Sequence, residues 1–202
     1  MRCTSTIGKR TVITALFAAL TSASCFIQIP LPGGIPIIIQ DMMAMLSGLL
    51  LGPLYGAAAV LIFLILGCLG LPVFSGKAGL HVILSGPTGG FLIGYLLAAF
   101  IGGLILHIFY ACKPKARTED GVPPKAKPAA LEWLFISIAA VAATTVMFAA
   151  GIIGFHRIFP DKTMAQVAAA VLIPFLPGNI VKLAVMIPLT KKVRPAIASC
   201  TA

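Results

Sequence analysis

The residue of this chain that most clearly indicates a functional site is Lys182, which lies within the last apolar segment, residues 166–189. An ammonium group inside a membrane span costs about 2.5 to 3.5 kcal/mol on insertion scales and persists only beside protein, water or a counter-ion. Asn179 precedes Lys182 by three residues, so a helix through both would carry their side chains on one face. The pair predicts one wall of a polar ligand site.

Two prolines and a glycine, Pro174, Pro177 and Gly178, lie immediately before this pair. Proline removes a backbone hydrogen bond from a helix, so the cluster predicts a break in the last span. Broken backbone at membrane depth is tolerated only where it is buried in protein or lines a cavity. The break is therefore expected to add backbone polar groups to the same site.

A second group of polar residues follows residues 29–39, which are rich in Pro and Gly and predict an irregular cap over a cavity. The Gln40 amide donates and accepts hydrogen bonds at once, which suits a cyclic urea, an amide or a heterocycle. Asp41 comes next. An acidic residue there is explained by helix capping or stabilisation of the helix dipole at least as well as by a role in ligand binding.

The glycine-rich segment 70–79 contains Lys77, which either attracts an anionic solute or simply lies in water. Its Gly76-Lys77 pair does not complete a phosphate-binding loop, because Ala78 stands where Ser or Thr is required. The chain is therefore not expected to hydrolyse ATP by itself.

The histidines and acidic residues offer little for metal binding or catalysis. The three histidines fall in three different segments without metal-ligand spacing. Of five acidic residues, two lie in the basic central segment, and no pair suited to acid–base chemistry is evident. We expect no metal, no cofactor and no enzymatic activity.

The composition identifies the elements that must position these residues. The chain has 202 residues, of which 59% are hydrophobic and 10% charged, and its mean hydropathy is +1.07. Such values are typical of a polytopic membrane protein, and at about 20 residues per span the length holds six helices. We predict one all-α membrane domain over residues 1–202, with spans at 11–28, 37–51, 55–71, 89–110, 131–154 and 166–189.

The net charge is +10, and the basic residues are unevenly distributed between the two sides of the predicted bundle. Eleven of the fifteen basic residues lie in the amino-terminal segment, in residues 112–130 or in the carboxyl-terminal segment, which six spans place on one side. The positive-inside rule makes that side, with both termini, cytoplasmic. Residues 113–128 predict a cytoplasmic linker between helices 4 and 5. Nucleic-acid binding is disfavoured, because the basic residues cluster between spans.

Small residues repeat along the first span at four-residue spacing, namely Ala15, Ala19 and Ala23. Such a stripe permits close approach of another membrane helix. Alanine is common in membrane helices, so the spacing alone leaves open both a docking face and ordinary internal packing.

Four segments in this order resemble the BioY family, the biotin-specific S components of energy-coupling factor (ECF) transporters. They are IPIIIQ (35–40), GLLLGP (48–53), GLPVFSG (70–76) with GPTGGFLIG (86–94), and PFLPGNIVK (174–182). The resemblance implies a six-helix subunit of the cell membrane that binds biotin from outside. It also implies partners, a transmembrane coupling subunit and two ATPases, with the Ala15, Ala19 and Ala23 stripe docking on the coupling subunit.

Within this family resemblance, the chemistry of biotin suits the candidate residues. The carboxylate has a possible partner in Lys182, the ureido ring suits the amides of Gln40 and Asn179, and the bicycle has a hydrophobic surface for Phe74 and Tyr95. The family usually carries Asp where this chain has Asn179, so that bond should be weaker. The same change is expected to deprive Lys182 of its nearest counter-ion.

Two alternatives remain open from the sequence. An S component for another small vitamin would share the architecture and differ in the site. A structural membrane protein would use its prolines and glycines only to shape the bundle.

Overall fold

The computed structural model describes residues 2–29, 37–111 and 129–201. Residues 30–36 of the expected cap and the expected linker, residues 113–128, lie outside the described residues. Seven α-helices are described, namely α1 (Arg2–Ala23), α2 (Gln40–Leu51), α3 (Pro53–Cys68), α4 (Leu80–Leu84), α5 (Gly89–Ala111), α6 (Ala129–Ile158) and α7 (Met164–Thr201).

The mostly helical architecture confirms the expected fold class in its coarse form, because the six long helices overlap the six predicted spans. Within the described residues, α5, α6 and α7 are long and apolar enough to cross a membrane, and α2 and α3 are shorter apolar helices. Two features were not predicted. One is the five-residue helix α4, and the other is a pair of two-residue antiparallel strands, β1 (Gln28–Ile29) and β2 (Ile37–Ile38).

The predicted break in the last span is wrong. Helix α7 continues from Met164 to Thr201 with four prolines inside it. Each proline removes one backbone hydrogen bond, but the φ angle of proline is compatible with a helix, and membrane helices tolerate the loss. Asn179 and Lys182 therefore lie on one continuous helix.

Helix α2 contacts α1, α3, α5, α6 and α7, while α5 packs against α6, α2 and α3, and α7 packs against α6 and α2. Glycines allow these helices to approach closely. A Cβ atom at Gly48 of α2 would overlap the backbone of Ala99 in α5, and one at Gly90 of α5 would overlap Gly154 in α6. This packing brings the first residues of α2 beside the middle of α7.

The alanine stripe of α1 faces away from the described helices. Ala15, Ala19 and Ala23 are exposed, whereas Phe17 and Ala18 of the same helix are buried in the core. Helix α1 therefore packs on α2 and α3 through a different face from the one that carries the stripe.

Candidate ligand-binding site

A cavity of about 90 Å³ lies among α2, α5, α6 and α7, beneath the turn that follows α3. Five of the six ligand-binding residues expected from the sequence line it, namely Gln40, Phe74, Tyr95, Asn179 and Lys182. All five side chains are buried. We call this space the polar–aromatic cavity.

An ion pair occupies one wall of the polar–aromatic cavity. The Nζ atom of Lys182 lies 2.7 Å from Oδ2 and 2.9 Å from Oδ1 of Asp41, and both side chains are buried. Asp41 Oδ1 also accepts a hydrogen bond of 2.8 Å from the backbone N–H of Met42. The two charges come from α2 and α7, so the pair joins the start of α2 to the middle of α7.

This ion pair corrects one expectation from the sequence. We expected Lys182 to lack a nearby counter-ion because residue 179 is Asn, but Asp41 provides one. The two residues are 141 positions apart, so no local pattern could have joined them. A buried Lys182 needs such a partner, because an unpaired buried charge costs several kcal/mol.

The two amide side chains of the cavity each donate a hydrogen bond to a backbone carbonyl oxygen. Gln40 donates from Nε2 to the carbonyl oxygen of Val73 at 2.7 Å, and Asn179 donates from Nδ2 to the carbonyl oxygen of Phe175 at 2.8 Å. The Oδ1 atom of Asn179 is buried and has no hydrogen-bond partner in the described structure. An unsatisfied buried acceptor costs about 1 to 3 kcal/mol, so this oxygen calls for a ligand donor or a water molecule.

Aromatic rings form much of the remaining lining. Phe91 contacts Phe148 edge to face at 6.3 Å between ring centroids and lies 6.3 Å from Phe175. These three phenylalanines line the cavity together with Phe74 and Tyr95. Sequence reasoning found only the last two, because phenylalanine is common here and its spacing does not reveal which rings meet.

The position of Phe74 is fixed by the turn that carries it. Phe74 and Lys77 exchange backbone hydrogen bonds of 3.0 Å across Ser75 and Gly76, which both have positive φ angles, 52° and 82°. The Phe74 ring covers Gly67, where a Cβ atom would overlap it, and meets Phe63 edge to face at 5.5 Å. The absence of a side chain at Gly67 thus leaves room for the Phe74 ring against α3.

Lys77 is the one expected ligand-binding residue that the structure does not bring into the cavity lining. Its side chain is exposed on the turn, two residues from Ser75 and three from Phe74, both of which do line the cavity. Lys77 therefore lies on the surface next to the site.

The arrangement presents hydrogen-bonding groups of both kinds and aromatic rings to the same cavity. Lys182 and Gln40 provide donors, while Asn179 and Asp41 provide acceptors. Among the described residues no three His, Cys, Asp or Glu side chains are grouped as metal ligands. A buried apolar cavity with a few convergent polar groups defines a helical membrane protein that binds a small, polar-headed organic molecule.

Comparison with known proteins specifies this class. The model of the BioY family matches residues 2–199, and the chain belongs to that family. It is 36% identical over 185 residues to the biotin transporter BioY of Rhodobacter capsulatus, covering 88% of each chain. It is 44% identical over 97 residues to the probable biotin transporter BioY of Pyrococcus horikoshii, covering 48% of this chain and 59% of that protein.

A solved structure has the same fold. The crystal structure of the S-component for biotin from an ECF-type ABC transporter matches with a TM-score of 0.73 and 26% sequence identity, over 93% of this chain and 91% of that one. The expected family membership is confirmed.

Proposed function

We propose that this protein is the biotin-binding S component of an ECF transporter and captures biotin for uptake. The observation that carries the proposal is the buried Oδ1 of Asn179, which has no hydrogen-bond partner among the described residues and lies in a cavity lined by aromatic rings. A ureido N–H group of biotin would satisfy that oxygen, and the rings suit the bicycle. The relatives named above are transporters, which supports transport rather than catalysis.

The Asp41–Lys182 pair favours one orientation of the ligand. If the carboxylate of biotin met Lys182, as the sequence first suggested, two buried carboxylates would share one ammonium group. A neutral ureido carbonyl can instead accept a hydrogen bond from Lys182 without upsetting the ion pair. We therefore propose that the ureido ring binds at Lys182, Asn179 and Gln40, with the carboxylate at the mouth near Lys77.

The size of the cavity implies movement on binding. A volume of about 90 Å³ is below the roughly 300 to 1,000 Å³ of common ligand pockets. The walls must therefore separate to admit biotin. The described conformation is accordingly proposed to be a contracted form of the site.

The finer assignments of membrane topology and assembly belong to the same proposal. Six long helices whose basic residues concentrate at the end with both termini support six spans and cytoplasmic termini in the cell membrane. The exposed Ala15, Ala19 and Ala23 stripe is proposed to dock on the coupling subunit, which two ATPases would drive.

Equilibrium binding of radiolabelled biotin to the purified protein tests the function. We expect saturable binding that excess unlabelled biotin abolishes and that other vitamins do not. Asn179→Ala should weaken it on the order of tenfold, through loss of one buried hydrogen-bond acceptor. Displacement by a different vitamin would indicate another S-component specificity, and absence of binding by the parent protein would overturn the proposal.

The proposed orientation has its own test. Biotin methyl ester keeps the ureido ring and lacks the negative charge, so it should compete with biotin within a few-fold. Loss of competition by the ester would show that the carboxylate, not the ureido ring, meets Lys182.

A further inference from the structure

A second and larger cavity, of about 460 Å³, opens at the opposite end of the bundle, near residues 10 and 194. It lies where α1, the turn between α2 and α3, α5 and α7 come together. Its lining includes the basic residues Arg10, His107 and Arg194, and none of the described residues that line it is acidic. We call it the cationic cavity.

Arg194 is held in position by the protein. Its Nη1 atom donates a hydrogen bond of 3.0 Å to the carbonyl oxygen of Leu49, near the end of α2, and its guanidinium lies 4.2 Å from the centroid of the Tyr110 ring. A guanidinium has five N–H donors in a fixed plane. The bond to Leu49 therefore orients the group while leaving it further donors for an anion.

Two more sources of positive potential reach the same space. The guanidinium of Arg10 lies 5.6 Å from the centroid of the Tyr55 ring, in the first turn of α3. Helix α3 begins at Pro53 after Gly52, without a capping side chain, and residues 52–55 line the cavity. The amino end of a helix carries a partial positive charge and backbone N–H groups without intrahelical partners.

The rest of the lining is apolar. Leu50, Leu51 and Leu54 line the cavity beside the arginines, and Leu54 is 73% exposed. A soluble anion would gain nothing from these leucines, whereas an amphiphile with a phosphate and acyl chains matches both parts. Basic pockets between membrane helices are a common site for anionic lipid head groups.

We propose that the cationic cavity binds an anionic phospholipid, with its phosphate between Arg10 and Arg194 and its acyl chains along Leu54. The site is separate from the polar–aromatic cavity and does not depend on the identity of the vitamin. Its position among the basic residues at the two ends of the chain places it on the side where anionic lipids are concentrated, if the proposed topology is correct.

Native mass spectrometry of the full chain released from detergent tests this proposal. Dioleoylphosphatidylglycerol should be retained on the order of tenfold more than dioleoylphosphatidylcholine at equal concentration, because only the former has a net charge. Inorganic phosphate should neither be retained nor displace the anionic lipid. Equal retention of the two lipids would overturn the proposal, and displacement by phosphate would indicate a site for a soluble anion.

Variants locate the bound lipid. Arg10→Gln and Arg194→Gln should each lower retention of phosphatidylglycerol about fivefold, the effect of one basic residue near an anionic headgroup. Lys192→Gln is the matched control, since Lys192 is exposed at the same end and does not line the cavity. Equal losses in all three variants would mean that only the general surface charge matters and would refute the site.

Arg194→Gln loses the hydrogen bond to Leu49 and so could fold poorly. Arg10→Gln then still tests the proposal, because Arg10 is exposed. Arg194→Lys adds a further check, since it keeps the charge. Retention at the parental level in Arg10→Gln would contradict the proposal whatever the behaviour of the Arg194 variants.

Discussion

The polar–aromatic cavity and the cationic cavity differ in almost every property that guides the search for a ligand site. The first is about 90 Å³, is buried, and contains an ion pair and one oxygen without a hydrogen-bond partner among the described residues. The second is about 460 Å³ and has two arginines without an acidic residue in its described lining. Under the proposed assignments the vitamin takes the smaller cavity, which means that an unsatisfied buried group is a better guide to a small-ligand site than volume.

The largest effect should follow from removing one charge of the buried pair. Asp41→Asn leaves the Lys182 ammonium buried without a counter-ion, which should lower the free energy of unfolding by about 3 to 5 kcal/mol. Adding Asn179→Asp returns a carboxylate to the same face of α7, three residues from Lys182, and should restore most of the stability. Thermal unfolding in detergent measures both.

The contrary result would be equal melting temperatures for Asp41→Asn and the parent protein. That outcome would mean that the pair contributes nothing to the fold. The buried ion pair would then not distinguish the polar–aromatic cavity from the cationic cavity in its contribution to stability.

A double substitution separates structure from ligand binding at the same pair. Lys182→Met with Asp41→Leu replaces both charges by apolar groups of similar size, so the fold should persist. Biotin affinity should nevertheless fall by about ten- to 100-fold, since the Lys182 donor proposed for the ureido carbonyl is lost. Radiolabelled binding checks this, and phosphatidylglycerol retention should be unchanged. Parental biotin affinity in the double variant would favour a purely structural role.

An intermediate effect is expected from Gly67→Ala, which would push the Phe74 ring toward the cavity. Overpacking of this kind costs about 1 to 3 kcal/mol. If biotin binding requires the displaced ring to move back, that cost opposes binding, and biotin affinity should fall on the order of tenfold. Gly8→Ala is the control, since a Cβ atom there meets nothing within 4 Å. Equal affinities for both variants would show that the Phe74 ring is not part of the binding surface.

The smallest effect should come from Lys77→Gln at the mouth of the polar–aromatic cavity. An exposed charge mainly steers an anion toward the site, so association should slow by about two- to threefold at low salt and be unchanged at high salt. Stopped-flow measurement of the association rate tests this, with Lys162→Gln as an exposed control. A loss of affinity at high salt would instead indicate direct contact of Lys77 with biotin.

Sequence reasoning located the site through residues that are out of place in their surroundings. Lys182 in an apolar span and Asn179 on the same face were evident from type and spacing, and Gln40 from its position after a Pro-rich segment. The partner of Lys182 was not evident, because the contact with Asp41 depends on how α2 and α7 pack. Phe91, Phe148 and Phe175 were missed for the same reason.

The fold was predictable to a similar extent. Hydrophobic continuity predicted a span overlapping each of α1, α2, α3, α5, α6 and α7, because each of these helices contains a run of apolar residues. The continuity of α7 was not predicted, since the local preference of Pro174 and Pro177 was given more weight than the helix on either side. Helix α4 was too short for a periodic signal.

Two contacts between α2 and α7 affect how these helices can move. Helix α7 is held to α2 at two points. Lys182 pairs with Asp41 near one end of α2, and Arg194 donates a hydrogen bond to the carbonyl oxygen of Leu49 near the other end. The two fastening points on α7 are separated by twelve residues, or about 18 Å of helix. Because both contacts hold α7 against α2, we expect the two helices to move together as one rigid body when the polar–aromatic cavity opens.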